Sequence, residues 1–117
     1  MISQKATVYS ALKNDTILSN LVSGKIYMYL NIETFDGSPT VIYTQINNQG
    51  LYSFGNTENG QYISFQISIY NSISNSNTDI EIAVDDVMRS IGFQRESMAE
   101  ITESTRRKSA MVYNKYM

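Results

Sequence analysis

The sequence predicts an α+β fold: a mainly antiparallel β-sheet with helices packed on one face. Several strand-like segments follow one another without a helix between them, which favours antiparallel pairing. The clearest strand is residues 62–70, where apolar and polar side chains alternate. The clearest helix is residues 78–91, which has an apolar stripe at helical spacing. A length of 117 residues predicts one domain over residues 1–117.

The N-terminal segment is predicted to form two short helical pieces. Residues 3–13 form the first, with Ser3 as its cap. After residue 13 the apolar residues no longer continue the same helical face. Asp15 can cap a second piece that ends at Gly24. The first piece has an apolar face made of Val8, Ala11 and Leu12, and the second has one made of Ile17, Leu18, Leu21 and Val22.

Strands dominate the middle of the sequence. Residues 25–30 and 40–46 are predicted strands, the second starting directly after Pro39. Residues 47–60 are rich in Asn and Gly, which predicts turns. Within them, residues 51–54 fit either a short strand or a loop with outward apolar side chains.

The second half contains the main helix and a closing strand. Thr78 and Glu81 fit a capping box, and Gly92 ends the helix. Residues 94–104 are polar and have no clear pattern, whereas residues 106–117 are predicted to form the last strand. The core stripe of the helix consists of Ile80, Ala83, Val84, Val87 and Ile91.

The composition excludes most kinds of catalytic site. The chain has no Cys and no His, which excludes thiol nucleophiles, Cys-based zinc sites and the Ser-His-Asp triad. The spaced glycines at 50, 55 and 60 do not form a phosphate-binding motif. We therefore expect no enzyme activity, no catalytic residue, no cofactor and no bound metal. One alternative stays open, a hydrolase or nuclease that uses Asp85 and Asp86 with Mg²⁺, although both are predicted on the solvent side of the helix.

Charge and hydropathy narrow the possible partners. The formal net charge is −2, without the basic field of a non-specific nucleic-acid binder. No apolar run approaches the roughly 20 residues that cross a bilayer, and no signal-peptide core is present, so we expect a protein soluble in a cytoplasm with no membrane partner. Nine tyrosines suit either strands or protein interfaces.

The order of these segments resembles the tail completion, or tail-to-head joining, proteins of bacteriophages with long non-contractile tails. The resemblance begins with Leu21–Tyr27 (LVSGKIY) after the N-terminal helix and continues with Pro39–Tyr43 (PTVIY). An alternating strand follows at Phe65–Tyr70, and the helix ends in Ile91–Phe93 (IGF) before the last strand. The similarity covers nearly the whole chain, except that residues 47–60 have a variable counterpart.

The resemblance implies a virion structural protein without a cofactor. It implies a ring, of six subunits, at the head-proximal end of the tail tube, assembled in the host cytoplasm. Its partners would be the tail tube protein and the connector or stopper protein of the head. DNA would pass through the ring without being bound specifically.

A docking protein needs exposed apolar or aromatic surface, and five residues are candidates. Tyr62 and Tyr70 are predicted on the sheet face away from the core, and Tyr52 and Phe54 in the turn-rich segment. The fifth, Ile82, is predicted on the polar face of the main helix. A monomeric adaptor or regulatory binding module, with the same core and no ring interface, is the alternative function.

Overall fold

The structure is a computed structural model that describes residues 5–28, 38–52, 58–72, 74–102 and 106–116. Within these residues, no helix is long and apolar enough to span a membrane. The described residues form three helices and five strands, in the order α1 (Lys5–Asn14), α2 (Thr16–Val22), β1 (Ile26–Met28), β2 (Thr40–Tyr52), β3 (Glu58–Ser72), α3 (Thr78–Ser90), β4 (Gln94–Thr102) and β5 (Arg106–Tyr116).

The strands form one sheet in the order β1-β2-β3-β5-β4. The pairs β2–β3, β3–β5 and β4–β5 are antiparallel, whereas β1 runs parallel to β2 with Ile26 opposite Val41. The predicted α+β fold with a mainly antiparallel sheet is confirmed. A parallel pair needs a connection longer than a hairpin turn, and the segment between Met28 and Thr40 is long enough to allow it.

The core lies between the sheet and the three helices. Alternate residues of β3 point into it, and all four of Ile63, Phe65, Ile67 and Ile69 are fully buried. They pack with Val8 and Leu12 of α1, Leu18 and Val22 of α2, the apolar stripe of α3, and Met111 and Tyr113 of β5. The alternation read from the sequence therefore identified the core face of β3 correctly.

The β2–β3 hairpin is longer than the sequence predicts. Residues 47–50 are predicted to form turns, yet β2 continues through them to Tyr52, and of the two alternatives for residues 51–52 the structure has the strand. The register shifts between Gln45 and Asn47, and the ladder then resumes with Asn47 opposite Ser64. A bulge of this kind absorbs one residue without ending the pairing. The partner strand therefore keeps an Asn- and Gly-rich segment extended despite its low β-propensity.

Strand β4 occupies a segment to which the sequence assigns no structure. In the part of the chain that the structure describes, it lies at the edge of the sheet and pairs only with β5, and all nine of its residues are exposed. A strand shows alternating hydrophobicity only when one of its faces is buried. Since neither face of β4 is buried, its sequence lacks the signal.

Helix α2 begins and ends as predicted. Asp15 Oδ2 accepts a hydrogen bond from the backbone N–H of Leu18 at 2.9 Å, so Asp15 is the N-cap. At the other end Ser23 has a left-handed backbone, with φ of 53°, and Gly24 follows with φ of 72°. Both ends of this short helix are therefore fixed by local hydrogen bonding and backbone geometry.

Replacing Asp15 by alanine is expected to lower the free energy of unfolding by about 1 kcal/mol, because one backbone N–H loses its side-chain acceptor. Urea denaturation would measure the change. Asp15→Asn is the matched control, since asparagine caps a helix about as well as aspartate. Equal losses for both variants would contradict a capping role.

Helix α3 has the predicted core stripe but not the predicted capping box. Ile80, Ala83, Val84 and Val87 are buried, Met88 joins them, and Ile91 is half-buried. The N-cap is Asn77 rather than Thr78, and its side chain makes no capping hydrogen bond. Glu81 instead accepts a hydrogen bond from Ser109 Oγ at 2.7 Å. The capping-box prediction is wrong because Glu81 faces the sheet rather than the start of its own helix.

Candidate docking surface

Asp85 connects helix α3 to the sheet. The hydroxyl of the buried Tyr113 donates to Asp85 Oδ1 at 3.0 Å, and Arg89 Nε donates to Asp85 Oδ2 at 2.6 Å. The side chain of Asp85 is only 21% exposed. The prediction that Asp85 lies on the solvent side is therefore wrong, because Tyr113 reaches from β5 to a carboxylate one turn beyond Glu81. Asp86 is exposed, as predicted.

This contact changes the ionisation of both partners. Burial alone would raise the pKa of Asp85, but the hydrogen bonds from Arg89 and Tyr113 and the charges of Arg89 and Arg95 hold that pKa below its ordinary value. Burial, followed by the hydrogen bond to Asp85, raises the pKa of Tyr113 above the ordinary value for tyrosine. Tyr113 therefore contributes stability below pH about 10, and this contribution is lost as the pH rises further.

Tyr113→Phe is expected to lower the free energy of unfolding by about 1.5–3 kcal/mol at neutral pH, because a hydrogen bond to a partly buried carboxylate is lost. Above pH about 10 the difference between the two proteins should shrink. Unfolding lets Tyr113 of the original protein ionise, which lowers its free energy of unfolding, whereas the variant has no hydroxyl to ionise at this position. Urea denaturation across this pH range measures both effects. A constant difference at all pH values would contradict the assigned hydrogen bond.

A groove separates α2 from α3 on the outer side of the helical layer. It has a volume of about 320 Å³. Its apolar lining comes from both helices, and three carboxylates also line it. The apolar members are Ile17, Leu21, Ile82 and Ala83, and the carboxylates are those of Asp15, Asp79 and Asp86. We call this feature the acidic groove.

Two isoleucines of the acidic groove are unusually exposed. Ile17 exposes 68% of its surface and Ile82 exposes 56%. The sequence placed Ile17 on the apolar face of α2, but Leu18 and Val22 occupy the core instead. Leu18 and Val22 are one turn apart and so share a face of α2. Ile17 is rotated about the helix axis by about 100° from Leu18 and therefore points away from the core. Ile82 lies off the core stripe as expected, and its role at an interface stays a prediction.

Tyr62 and Tyr70 lie on the sheet face opposite the helices. The ring of the half-buried Tyr62 packs 4.8 Å from that of Tyr116. The ring of Tyr70 is only 8% exposed, with the guanidinium of Arg106 5.0 Å and the ammonium of Lys108 5.4 Å from its centroid. The structure therefore does not bring these tyrosines together with Ile82.

The two remaining candidates are at the far end of the β2–β3 hairpin. Tyr52 is the last residue of β2, and its backbone pairs with Glu58. The side chain of Tyr52 and the whole of Phe54 lie outside the described residues. Their participation in an interface stays a prediction.

Two features of this surface are not predicted by the sequence. One is the exposure of Ile17, which the spacing does not reveal, because Ile17 and Leu21 are one turn apart just as Leu18 and Val22 are. The other is the pairing of Tyr70 with Arg106 and Lys108, which depends on the register of β3 and β5. Such a register is not readable from either strand alone.

The acidic side chains do not form a metal site within the described residues. No group of three carboxylates there has the geometry to hold a metal ion. Asp85, the candidate for Mg²⁺-dependent chemistry, is engaged by Tyr113 and Arg89. The carboxylates of the acidic groove flank apolar side chains instead, an arrangement suited to binding an apolar and basic partner surface.

Comparison with known proteins identifies a fold but no family. No protein-family model matches the chain, and no curated protein matches it significantly. A solved structure described as the virion of a native gene transfer agent (GTA) particle contains a chain similar to this one, with a TM-score of 0.64 and 15% sequence identity. The match covers 93% of this chain and 90% of that chain. The two chains therefore share a fold over nearly their entire lengths.

Proposed function

We propose that this chain is a virion structural protein that completes a phage tail at its head-proximal end and joins it to the head connector. The observation that supports this most is the fold shared with a chain of the GTA virion, because the match extends over 93% of this chain. The order of segments that resembles the tail completion proteins points in the same direction.

The surface of the chain fits a protein that works by docking. Ile17 and Ile82 are both exposed and line the same groove between two helices, so they offer an apolar contact surface to a partner. We propose self-association into a ring of six subunits, with the tail tube protein on one side and the head connector or stopper protein on the other. DNA would pass through the ring without specific contacts, and no cofactor takes part.

The direct test is to combine the purified protein with tail tubes of the particle whose genome encodes it. Negative-stain electron microscopy should show a ring of density added at one end of each tube. Tubes capped in this way should then join to heads and restore infectious or DNA-transferring particles. Tail tubes of an unrelated particle are the control.

Light scattering after size exclusion, over a range of concentrations, tests the ring in the absence of partners. A discrete mass of six subunits is expected if the ring assembles alone. A monomer that does not bind tail tubes would contradict the proposed function and favour the adaptor module.

A further inference from the structure

We propose that the acidic groove binds a basic amphipathic helix of another protein of the particle, with two cations about two helical turns apart and apolar side chains between them. The chemistry of this site follows from the groove alone, whereas the assignment of its partner to a virion rests on the proposed function. The occupant is thus a helix of a different protein and not a second copy of this chain.

The wall of the groove that α3 provides has acidic and apolar residues at helical spacing. Asp79, Ile82, Ala83 and Asp86 occupy positions i, i+3, i+4 and i+7, so they form one stripe along the groove. The two carboxylates are two turns apart, about 10 Å along the helix axis, and the apolar pair lies between them. A partner helix with cations seven positions apart has the same spacing and can meet both carboxylates at once.

The groove has more negative charge at one end than at the other. Asp15 lies at the Asp86 end, because these two residues also line a neighbouring depression to which Asp79 does not contribute. Ile17 and Leu21 of α2 supply apolar lining opposite α3. Charges at both ends and apolar surface between them favour an amphipathic partner over a uniformly basic one.

The two α3 carboxylates of the groove are available to a partner. Asp79 and Asp86 are exposed, and neither makes a hydrogen bond or an ion pair with another described residue. The other two acidic residues of α3, by contrast, accept hydrogen bonds from strand β5. Asp79 and Asp86 therefore provide the charges on which a basic partner can dock.

A second copy of this chain is a poor source of the complementary cations. Arg89 and Arg107 are paired with carboxylates of their own chain, and Lys13 and Lys115 donate to backbone carbonyls at 2.7 and 2.8 Å. Three further cations also interact within the chain, namely Lys5, Lys25 and Arg106. Contact between two grooves would bring like charges together, since α3 has four carboxylates and one arginine, a formal charge of −3. The positive charge therefore comes from a different protein.

A helix fits this groove better than an extended segment does. Both walls are helices, whose backbone groups are largely paired within each helix, so the groove offers no strand edge for β-pairing. Recognition then depends on side chains, and a helix presents them at the spacing of the α3 stripe. The exposed Ile17 and Ile82 would contact the apolar side chains of that helix.

A designed helical peptide of about 18 residues tests the groove directly. Its two lysines are seven positions apart, with leucines three and four positions after the first, in a background of alanine and glutamine that favours helix. We call it the test peptide. Fluorescence anisotropy should show saturable binding to the folded chain, and changes in amide NMR shifts should concentrate on the residues of the acidic groove.

Charge variants of the groove provide the matching loss and rescue. D79N/D86N should bind the test peptide roughly tenfold more weakly, because two ion pairs are lost with little change in side-chain shape. D79K/D86K should not bind it, but should bind a version whose lysines are replaced by glutamates. E96Q removes an exposed charge of β4 outside the groove and should bind like the original chain. Circular dichroism must show that every variant folds.

The spacing of the lysines is tested separately. A peptide whose lysines are five positions apart should bind more weakly, because its charges then point to different sides of the helix. Equal binding of both peptides, or undiminished binding to D79N/D86N, would overturn the inference. Absence of saturable binding below about 1 mM would also overturn it.

The tail-tube experiment separates this inference from the proposed function. Excess test peptide should block either the capping of tubes or their joining to heads, and joining that continues unaffected would overturn the assignment of the partner to the particle. A chain that binds the test peptide but caps no tube would retain the groove site and contradict the tail role. A chain that caps tubes but does not bind the peptide would retain the tail role and contradict the groove site.

Discussion

Replacing Phe65 by alanine is expected to lower the free energy of unfolding by about 3–5 kcal/mol, which is the usual cost of truncating a buried aromatic side chain. Phe65 is fully buried in the middle of β3. Its ring packs edge-to-face against Phe93, with centroids 5.7 Å apart. The substitution would leave a cavity between β3 and the start of β4, and both aromatic rings lose their contact.

Thermal and urea denaturation would measure the loss for Phe65→Ala. The free energy of unfolding of an ordinary domain is about 5–15 kcal/mol, so the variant should retain little stability and unfold at moderate temperature. The matched control is Tyr116→Ala, which removes an aromatic ring that is 72% exposed and packs on Tyr62. We expect a loss below about 1 kcal/mol there. Similar losses for both variants would contradict the assigned core.

Leu18→Ala is expected to cost about 2–5 kcal/mol, whereas the same change at the adjacent Ile17 should cost less than about 1 kcal/mol. Leu18 is fully buried and anchors the short helix α2 to the core, while Ile17 is 68% exposed. A helix of seven residues is too short to be stable by itself, so its order depends on this packing.

The pair of variants also separates folding from docking. Urea denaturation should distinguish them strongly, and the folded Ile17→Ala protein should bind the test peptide more weakly than the original chain does. If Ile17→Ala destabilises the protein as much as Leu18→Ala, Ile17 belongs to the core and does not line an exposed groove.

The sequence predicts this fold well where one face of an element is buried. Alternation in β3 and the helical stripe of α3 identified their core residues, because burial selects apolar side chains at the period of the element. The same logic explains the failure at β4, which is exposed on both faces. It also explains residues 47–52, where pairing with β3 rather than local preference keeps the backbone extended.

The candidate docking surface was predicted only in part. Ile82 was recognisable because an apolar residue on the polar side of a helix stands out from the pattern. The exposure of Ile17 was not recognisable, because in a helix of seven residues more than one set of apolar side chains can form the face that packs on the core. The relation between Tyr70 and Lys108 depends on pairing between strands distant in sequence. Single-sequence patterns do not contain that information.

The sheet order constrains how the chain can fold as it is synthesised. β5 lies between β3 and β4, although it follows both in the sequence. While the chain is made, β1, β2 and β3 can pair and α3 can cover them, but β4 cannot join the sheet until β5 has paired with β3. Tyr113, whose hydroxyl holds α3 to the sheet, arrives with β5 as well. The chain therefore exposes part of its core and an unpaired edge of β3 until β5 inserts, and surfaces of this kind are the ones that aggregate during folding.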